Sequence, residues 1–474
     1  MAFEQNQTIK TYKKIKLKEI QQNIQTKVEL PGLKTVLSAD GTAAVLHYDR
    51  NGENVNATGT ATIKILYLNE DGNFVCQQKV VDFAFEQPAP VANYFKFLIN
   101  ETGTTTETTS QNEAIVTSKF SIETSALLQN EVESVKPGTN SAIEKTNNVQ
   151  IQTISALVED KLAVSFDTEI TANSIVFSDA KVVLNSATAT EDAVVVDGEL
   201  LVDVLTELDG NLKQTYKSIE FSGEVAALGL KTDSIVDIAA NVESFSTTLD
   251  NNGTNATLSI AATVSINGEC YSNIETEIVE DAFCESNELI ISTQGQSLYN
   301  VVTSEYKQKD IGIILQTKDK NVNMGTVLAV LSPKYENGNI FCTAIYRHAE
   351  TDEIFSTIMY SSTEDCLNHT QLVVKSFAKK RTKEIMVELT AINLHCDVEE
   401  NYITYASKIE IGANIESSNK GIIVYAARKG QELFDVAKSL NVNPNVLKEQ
   451  NTDLCDIFQE DRKIIYYRPM SKQF

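Results

Sequence analysis

Residues 57–86 read ATGTATIKILYLNEDGNFVCQQKVVDFAFE. Ile63, Ile65 and Tyr67 alternate with Thr62 and Lys64, the two-residue period of a half-buried strand. Asp71-Gly72 then supplies a tight turn, where glycine accepts positive φ. A second strand follows and ends on Val81-Asp82-Phe83. The cleanest alternation lies at residues 256–266, where Leu258, Ile260, Ala262, Val264 and Ile266 face one way and Thr257, Ser259, Thr263 and Ser265 the other. Residues 114–128 and 384–394 carry related patterns.

The hairpin recurs. Residues 196–224 place Gly198 where Gly59 stands, Val202-Asp203-Val204 for Ile63-Lys64-Ile65, Asp209-Gly210-Asn211-Leu212 for Asp71-Gly72-Asn73-Phe74, and Ile219-Glu220-Phe221 for Val81-Asp82-Phe83. The offset is 139 residues at the glycine and 138 after the turn, read directly from the numbering. A weaker third copy occupies residues 336–361, with Gly338 aligned to Gly198, Tyr346 to Tyr67 and Asp352-Glu353 replacing the Asp-Gly turn. Gly59 and Gly198 thus mark matching places in the hairpin, and Tyr67, Phe83, Phe221 and Tyr346 are expected in the core.

After about residue 420 the period changes from 2 to 3.6. Ile422 to Ala426 reads as a strand, followed by a turn at Lys429-Gly430. Leu433, Val436, Ala437 and Leu440 then fall on one helical face. Asn441 is suited to end that helix, because asparagine tolerates the left-handed conformation. Asn443-Pro444 can open the next helix, with Val446 and Leu447 toward the core. Asn451 closes it, and Lys463 to Tyr467 forms a last strand. The order is β-α-α-β.

The predicted class is therefore mainly β: tandem antiparallel β-sandwich-like repeats followed by a small β-α-α-β domain. The expected limits are 1–148, 149–295, 296–415 and 420–470. Residues 101–112 (ETGTTTETTSQN) read as a long polar loop, and residues 136–148 as the connection between the first two copies. Residues 10–18 (KTYKKIKLK) read as the solvated start of a first strand or helix.

Composition sharpens this outline. The chain has 474 residues, room for about three or four domains at roughly 100–200 residues each. Its net charge of −25 argues against a general binder of nucleic acid or anionic membrane. The excess is local: residues 1–100 carry 11 basic and 10 acidic groups, residues 101–300 carry 8 and 32, and residues 301–474 carry 21 and 23. An acidic face on the middle copy is expected. No basic leader followed by an apolar stretch and no long apolar span stands out, so a cytoplasmic protein without membrane insertion is expected. The seven cysteines are odd in number and scattered, which fits a reducing compartment.

Catalytic chemistry is sparse. His47 stands alone, while His348, His369 and His395 fall in the third copy with Cys342, Cys366 and Cys396. Cys366-x-x-His369 and His395-Cys396 have the ligand types for zinc, but adjacent residues on a strand point to opposite faces. They read better as strand residues, with Cys342 and Cys396 in the core. No phosphate loop, dinucleotide fingerprint or nucleophile elbow occurs. No catalytic residue, metal or cofactor is expected, and the chain reads as a non-enzyme.

Two resemblances refine the expectation. Tyr425 to Gly430, Leu433-Phe434-Asp435-Val436-Ala437, Asn443-Pro444, Leu447 and Asn451 resemble the LysM domain. Gln431-Glu432 stand where that family has Asp-Thr or Asp-Ser, and Asp461-Arg462 replace its glycine before the last strand. The resemblance implies a shallow groove between two loops, with Gly430, Gln431, Glu432, Phe434, Asn451 and Asp453 as partner- or glycan-binding candidates. The Gly-strand-Tyr-turn-strand-Phe unit, preceded by ELPGLKTVLSADG, resembles the SPOCS domain. SPOCS copies followed by one LysM unit resemble the architecture of SipL-like spore coat morphogenetic proteins. That resemblance implies a scaffold at the forespore surface of a sporulating bacterium, bound to the coat base ATPase or other coat proteins. The LysM unit alone implies an alternative, binding of peptidoglycan or another N-acetylglucosamine glycan.

Overall fold

The computed structural model describes every residue except 1–5, 93, 111, 139–141, 253–254, 365, 367–369, 416–420 and 469–474. The chain is mainly β, with antiparallel pairing in every described sheet and two short helices near its end.

The first unit contains β1 (Asn6–Lys16), β2 (Ile20–Glu29), β3 (Leu33–Asn51), β4 (Asn54–Asn69), β5 (Phe74–Pro88), β6 (Tyr94–Ser110) and β7 (Glu113–Val135). Strands β3-β4-β5 form one sheet. In the other, β7 pairs with β6 on one side and successively with β2 and β1 on the other. The second unit contains β8 (Ile143–Ile170), β9 (Ser174–Ala189), β10 (Ala193–Leu208), β11 (Asn211–Ala226), β12 (Ile235–Asn252) and β13 (Asn255–Phe283). It forms the sheets β9-β10-β11 and β8-β13-β12. The third contains β14 (Asn287–Gln316), β15 (Met324–Glu336), β16 (Asn339–His348), β17 (Ile354–Ser362), β18 (Gln371–Arg381) and β19 (Glu384–Asn414). Its meander β15-β16-β17 and its layer β14-β19-β18 are joined at one pair, Gln316 with Tyr360.

All three units thus share one plan: a meander facing a sheet whose last strand lies between the first and the fifth. The paired β1 and β2 do in the first unit what β8 and β14 do in the others. Apolar strand faces fill the space between the layers. In the second unit Leu258, Ile260, Ala262, Val264 and Ile266 meet Val194, Val196, Leu200, Val202 and Val204.

The register explains the repeated glycine. Gly59 lies opposite Phe83, and Gly198 opposite Phe221. A Cβ on Gly198 would sit 2.5 Å from Val183 O and 2.6 Å from Phe221 Cζ, so the ring occupies the space a side chain would need. Gly338 departs from this plan. Strand β16 has 10 residues against 16 in β10, and Gly338 falls in the β15–β16 turn with φ of 80°. Tyr67, Phe83 and Tyr346 are buried, and Phe221 packs partly buried against the same core.

Several expectations are corrected. Residues 101–110 are the second half of β6, paired with β7, rather than a loop. The threonine-rich run has the β-branched side chains of a strand, and its exposed face explains its polarity. Strands β8 and β14 begin at Ile143 and Asn287, so the limits expected at 148/149 and 295/296 fall inside strands. Their first residues belong to long two-stranded ribbons, as in the pairs Ile143–Phe283 and Asn287–Asn414, whose mixed polarity hides the alternation. The basic run in β1 is only partly solvated: Tyr12 stacks on Tyr271 at 5.0 Å between centroids, and Lys14 pairs with buried Asp237 at 3.5 Å. Cys342 is buried, whereas Cys396 is only partly so and lies 3.9 Å from Asp237.

The units close a ring. Leu66, Leu205 and Ile345, each three residues from the end of its central meander strand, meet in one apolar cluster. Bulged Leu37, Val176 and Leu328 join them, with Phe74, Leu212 and Ile354 packed against the cluster. Polar contacts ring this cluster. Lys64 of the first unit donates to Ser178 O of the second (2.8 Å). Gln214 of the second exchanges hydrogen bonds with the Val330 backbone of the third (2.8 and 2.9 Å). Lys334 of the third pairs with Asp40 (3.2 Å) and Glu101 of the first. A second cluster joins the three units through Ile9, Val132, Ile151, Ile278, Leu298 and Tyr405.

The C-terminal unit contains β20 (Gly421–Ala427), α1 (Leu433–Leu440), α2 (Pro444–Gln450) and β21 (Arg462–Arg468), with β20 and β21 paired. Asn441 ends α1 at φ 52°, and Asn443 Oδ1 caps α2 by accepting from Asn445 N–H at 2.9 Å. No helix among the described residues is long and apolar enough to cross a membrane.

Candidate functional site

The six candidates lie around residues 428–434 and 451–461 of the C-terminal unit. Leu433, Val436, Ala437, Leu440 and Leu447 pack against Ile464 and Tyr466, which fixes both loops to one core. The loops then bind each other. Gly430, at φ 82°, donates its N–H to Phe458 O (2.7 Å), and Phe458 N–H donates to Gln431 O (3.0 Å). Glu432 bridges Ile457.

Two candidates spend their side chains on this scaffold. Gln431 Oε1 accepts from Arg428 N–H (3.2 Å), and its Nε2 donates to Tyr425 Oη (3.0 Å). Asn451 Oδ1 accepts from Ile465 N–H (2.8 Å), while its Nδ2 donates to Ile465 O (2.8 Å) and Leu447 O (3.0 Å). Asp453 is exposed at φ 61°, and its carbonyl accepts from Arg462 (2.8 Å). Gly430 and Asp453 are the two exposed candidates.

Glu432 and Phe434 face the second unit. Lys145 pairs with Glu432 at 2.7 Å, and this hydrogen bond pushes the Lys145 pKa up. The Phe434 ring meets Phe283 edge-on at 5.4 Å. Lys438 reaches both oxygens of Asp281 (2.7 and 2.6 Å). Asn441 donates to Glu285 O, and Asn443 N–H to Glu285 Oε1, both at 2.7 Å. Lys145, Asp281, Phe283 and Glu285 thus complete the surroundings of the site. The sequence carries no local signal for them, because their ribbon end meets the helices only after folding.

The remaining chemistry is sparse. Among the described residues no group of three or more His, Cys, Asp or Glu side chains is placed to hold a metal. His395 pairs with Asp397 at 2.8 Å, Cys366 is buried in the third core, and His369 lies outside the described residues.

Residues 171–250 match the family model described as SipL, SPOCS domain. The matched stretch contains the meander β9-β10-β11 and most of β12. No curated protein and no solved structure gives a significant match.

Proposed function

We propose that this chain is a non-enzymatic scaffold of the bacterial endospore coat, acting in the mother-cell cytoplasm at the forespore surface. The observation that carries the reading is the SPOCS-domain match over residues 171–250, on a meander plan the chain uses three times. Three units pack into a ring, and the C-terminal unit is held against the second of them. That arrangement suits a spacer that presents a docking unit. On this reading the C-terminal unit is LysM-like and meets the coat base ATPase or another coat protein. The test is capture of coat proteins by the tagged chain from sporulating cells, together with coat attachment in a deletion strain. Loss of attachment on deletion is expected; normal coats in a strain without a paralogue would sink the reading.

Binding of peptidoglycan is the second reading, favoured by the exposure of Gly430 and Asp453 beside the paired loops. Sedimentation of the full chain with purified peptidoglycan decides it. No retention at low salt removes it.

A further inference from the structure

One buried carboxylate at the ring junction has a distinctive setting. Asp203, on β10, is buried, and its Oδ1 has no hydrogen-bond partner among the described residues. Its Oδ2 accepts from Gln214 Nε2 at 2.6 Å. The same amide nitrogen donates to Val330 O, and Gln214 Oε1 accepts from Val330 N–H. Asp203 therefore stands behind the clamp that joins the second unit to the third. Beside it lies a cavity of about 20 Å³, room for about one water molecule, lined by Asp40, Asp179, Lys181, Asp203 and Ser332 with apolar neighbours.

The cations of this junction serve other carboxylates. From β9, Lys181 pairs with Asp179 at 3.4 Å; from β4, Lys64 pairs with Asp179 at 3.4 Å. From β15, Lys334 pairs with Asp40 of β3 and Glu101 of β6. On β11, Gln214 is neutral and Tyr216 lies opposite Asp203 in the register. Strand β18 contributes Leu372, Val373 and Val374 to the cavity wall. Asp203 thus faces a carboxylate, Asp179, and a neutral amide. Ionised, it leaves a buried oxygen without a donor. Protonated, the same oxygen becomes a donor beside the acceptor oxygens of Asp179 and Asp40 around the shared cavity.

We propose that Asp203 is a proton-binding site at the junction of the three units: its proton keeps the Gln214–Val330 clamp closed, and ionisation admits water between β10 and β15 and loosens the ring. Burial, aided by the Asp179 charge, pushes its pKa up to about 8, so the change falls near neutrality.

The test uses the full chain. Hydrogen exchange at the Val330 amide is compared between wild type and Asp203→Asn at about pH 6 and about pH 9, pairing measurements at each pH to cancel intrinsic exchange. Equal protection at the lower pH and about tenfold weaker protection in wild type at the higher pH are expected. The same ratio at both pH values overturns the proposal. Carboxyl ¹³C NMR of the aspartate-labelled wild-type chain needs no variant and leaves Glu101 silent. One aspartate titrating near pH 8 is expected, and none titrating above about pH 6 overturns the proposal even if the variant does not fold.

Discussion

The second and third units share a plan but differ at corresponding positions on the central meander strand. Ten residues before that strand's end stand Gly198 and Gly338, and five before it stand Asp203 and Thr343. In the second unit the glycine lies inside the sheet under Phe221, and Asp203 is buried at the junction. In the third, the shortened hairpin moves the glycine into a turn, and a neutral hydroxyl replaces the acid. The first unit places Lys64 there instead, and Lys64 reaches into the second unit. One structural position thus supplies a cation, an acid and a neutral group, making a ring of similar units asymmetric. Burial alone does not set the sign. Asp237 is as deeply buried, but against that burial Lys96 and Lys14, each at 3.5 Å, hold its pKa below the usual carboxylate range.

The largest effect separating the two units is pH dependence. Asp203 is raised, so its folded form holds a proton that its unfolded form has lost. Its contribution is fully present below the unfolded value of 3.8 and is lost as pH rises through about 8. Stability against urea is therefore expected to fall by about 1.4 kcal/mol per pH unit between about pH 6 and pH 8 through this group alone. Asp203→Asn should remove that slope, while Thr343→Val should leave it in place. Asp237 has the opposite sign: its contribution is present above the unfolded value of 3.8 and is lost as pH falls through its lowered value.

Next in size is Gly198→Ala. The added methyl meets a backbone oxygen and a ring that the sheet holds in place, so a loss of about 2–3 kcal/mol is expected in urea or thermal denaturation. Gly198→Ala combined with Phe221→Leu should recover part of this, because the ring clash disappears while the Val183 O contact remains. Gln214→Leu comes third. It leaves the Val330 N–H and C=O without their side-chain partner, and a loss of about 1–2 kcal/mol is expected. Removing the donor to Asp203 should also move the alkaline loss of stability to higher pH, since the amide helps to hold the carboxylate form.

The sequence made the strands of this plan legible because each core-facing row keeps its two-residue period: Ile63, Ile65 and Tyr67, or Leu258 to Ile266, are buried on one face. The caps at Asn441 and Asn443 were legible because their chemistry is local. The ring was not. Lys64 and Asp203 lie on the outer faces of their strands, where alternation alone reads them as solvated; only a neighbouring unit buries them. The threonine run of β6 was missed for a related reason, since an exposed polar strand and a polar loop share a composition. At the C-terminal unit, Gly430 and Asn451 were recognisable from spacing. The use of Glu432 and Phe434 against Lys145 and Phe283 depends on residues almost 300 and 150 positions away, which no local pattern reports.

The smallest effect comes from the third unit's glycine. Gly338 has φ of 80°, and a Cβ there would meet nothing within 4 Å. Gly338→Ala therefore carries only the left-handed backbone penalty, about 1 kcal/mol, with no clash. Gly338→Asn should be milder still, because asparagine tolerates that conformation. If Gly338→Ala costs as much as Gly198→Ala, the third hairpin carries the same intrasheet glycine as the second, and the shortened hairpin no longer explains the difference. If Asn restores most of the loss at residue 338 but none at residue 198, the two glycines are separated by cause. One is kept for its backbone angle and the other for the space beneath a phenylalanine ring.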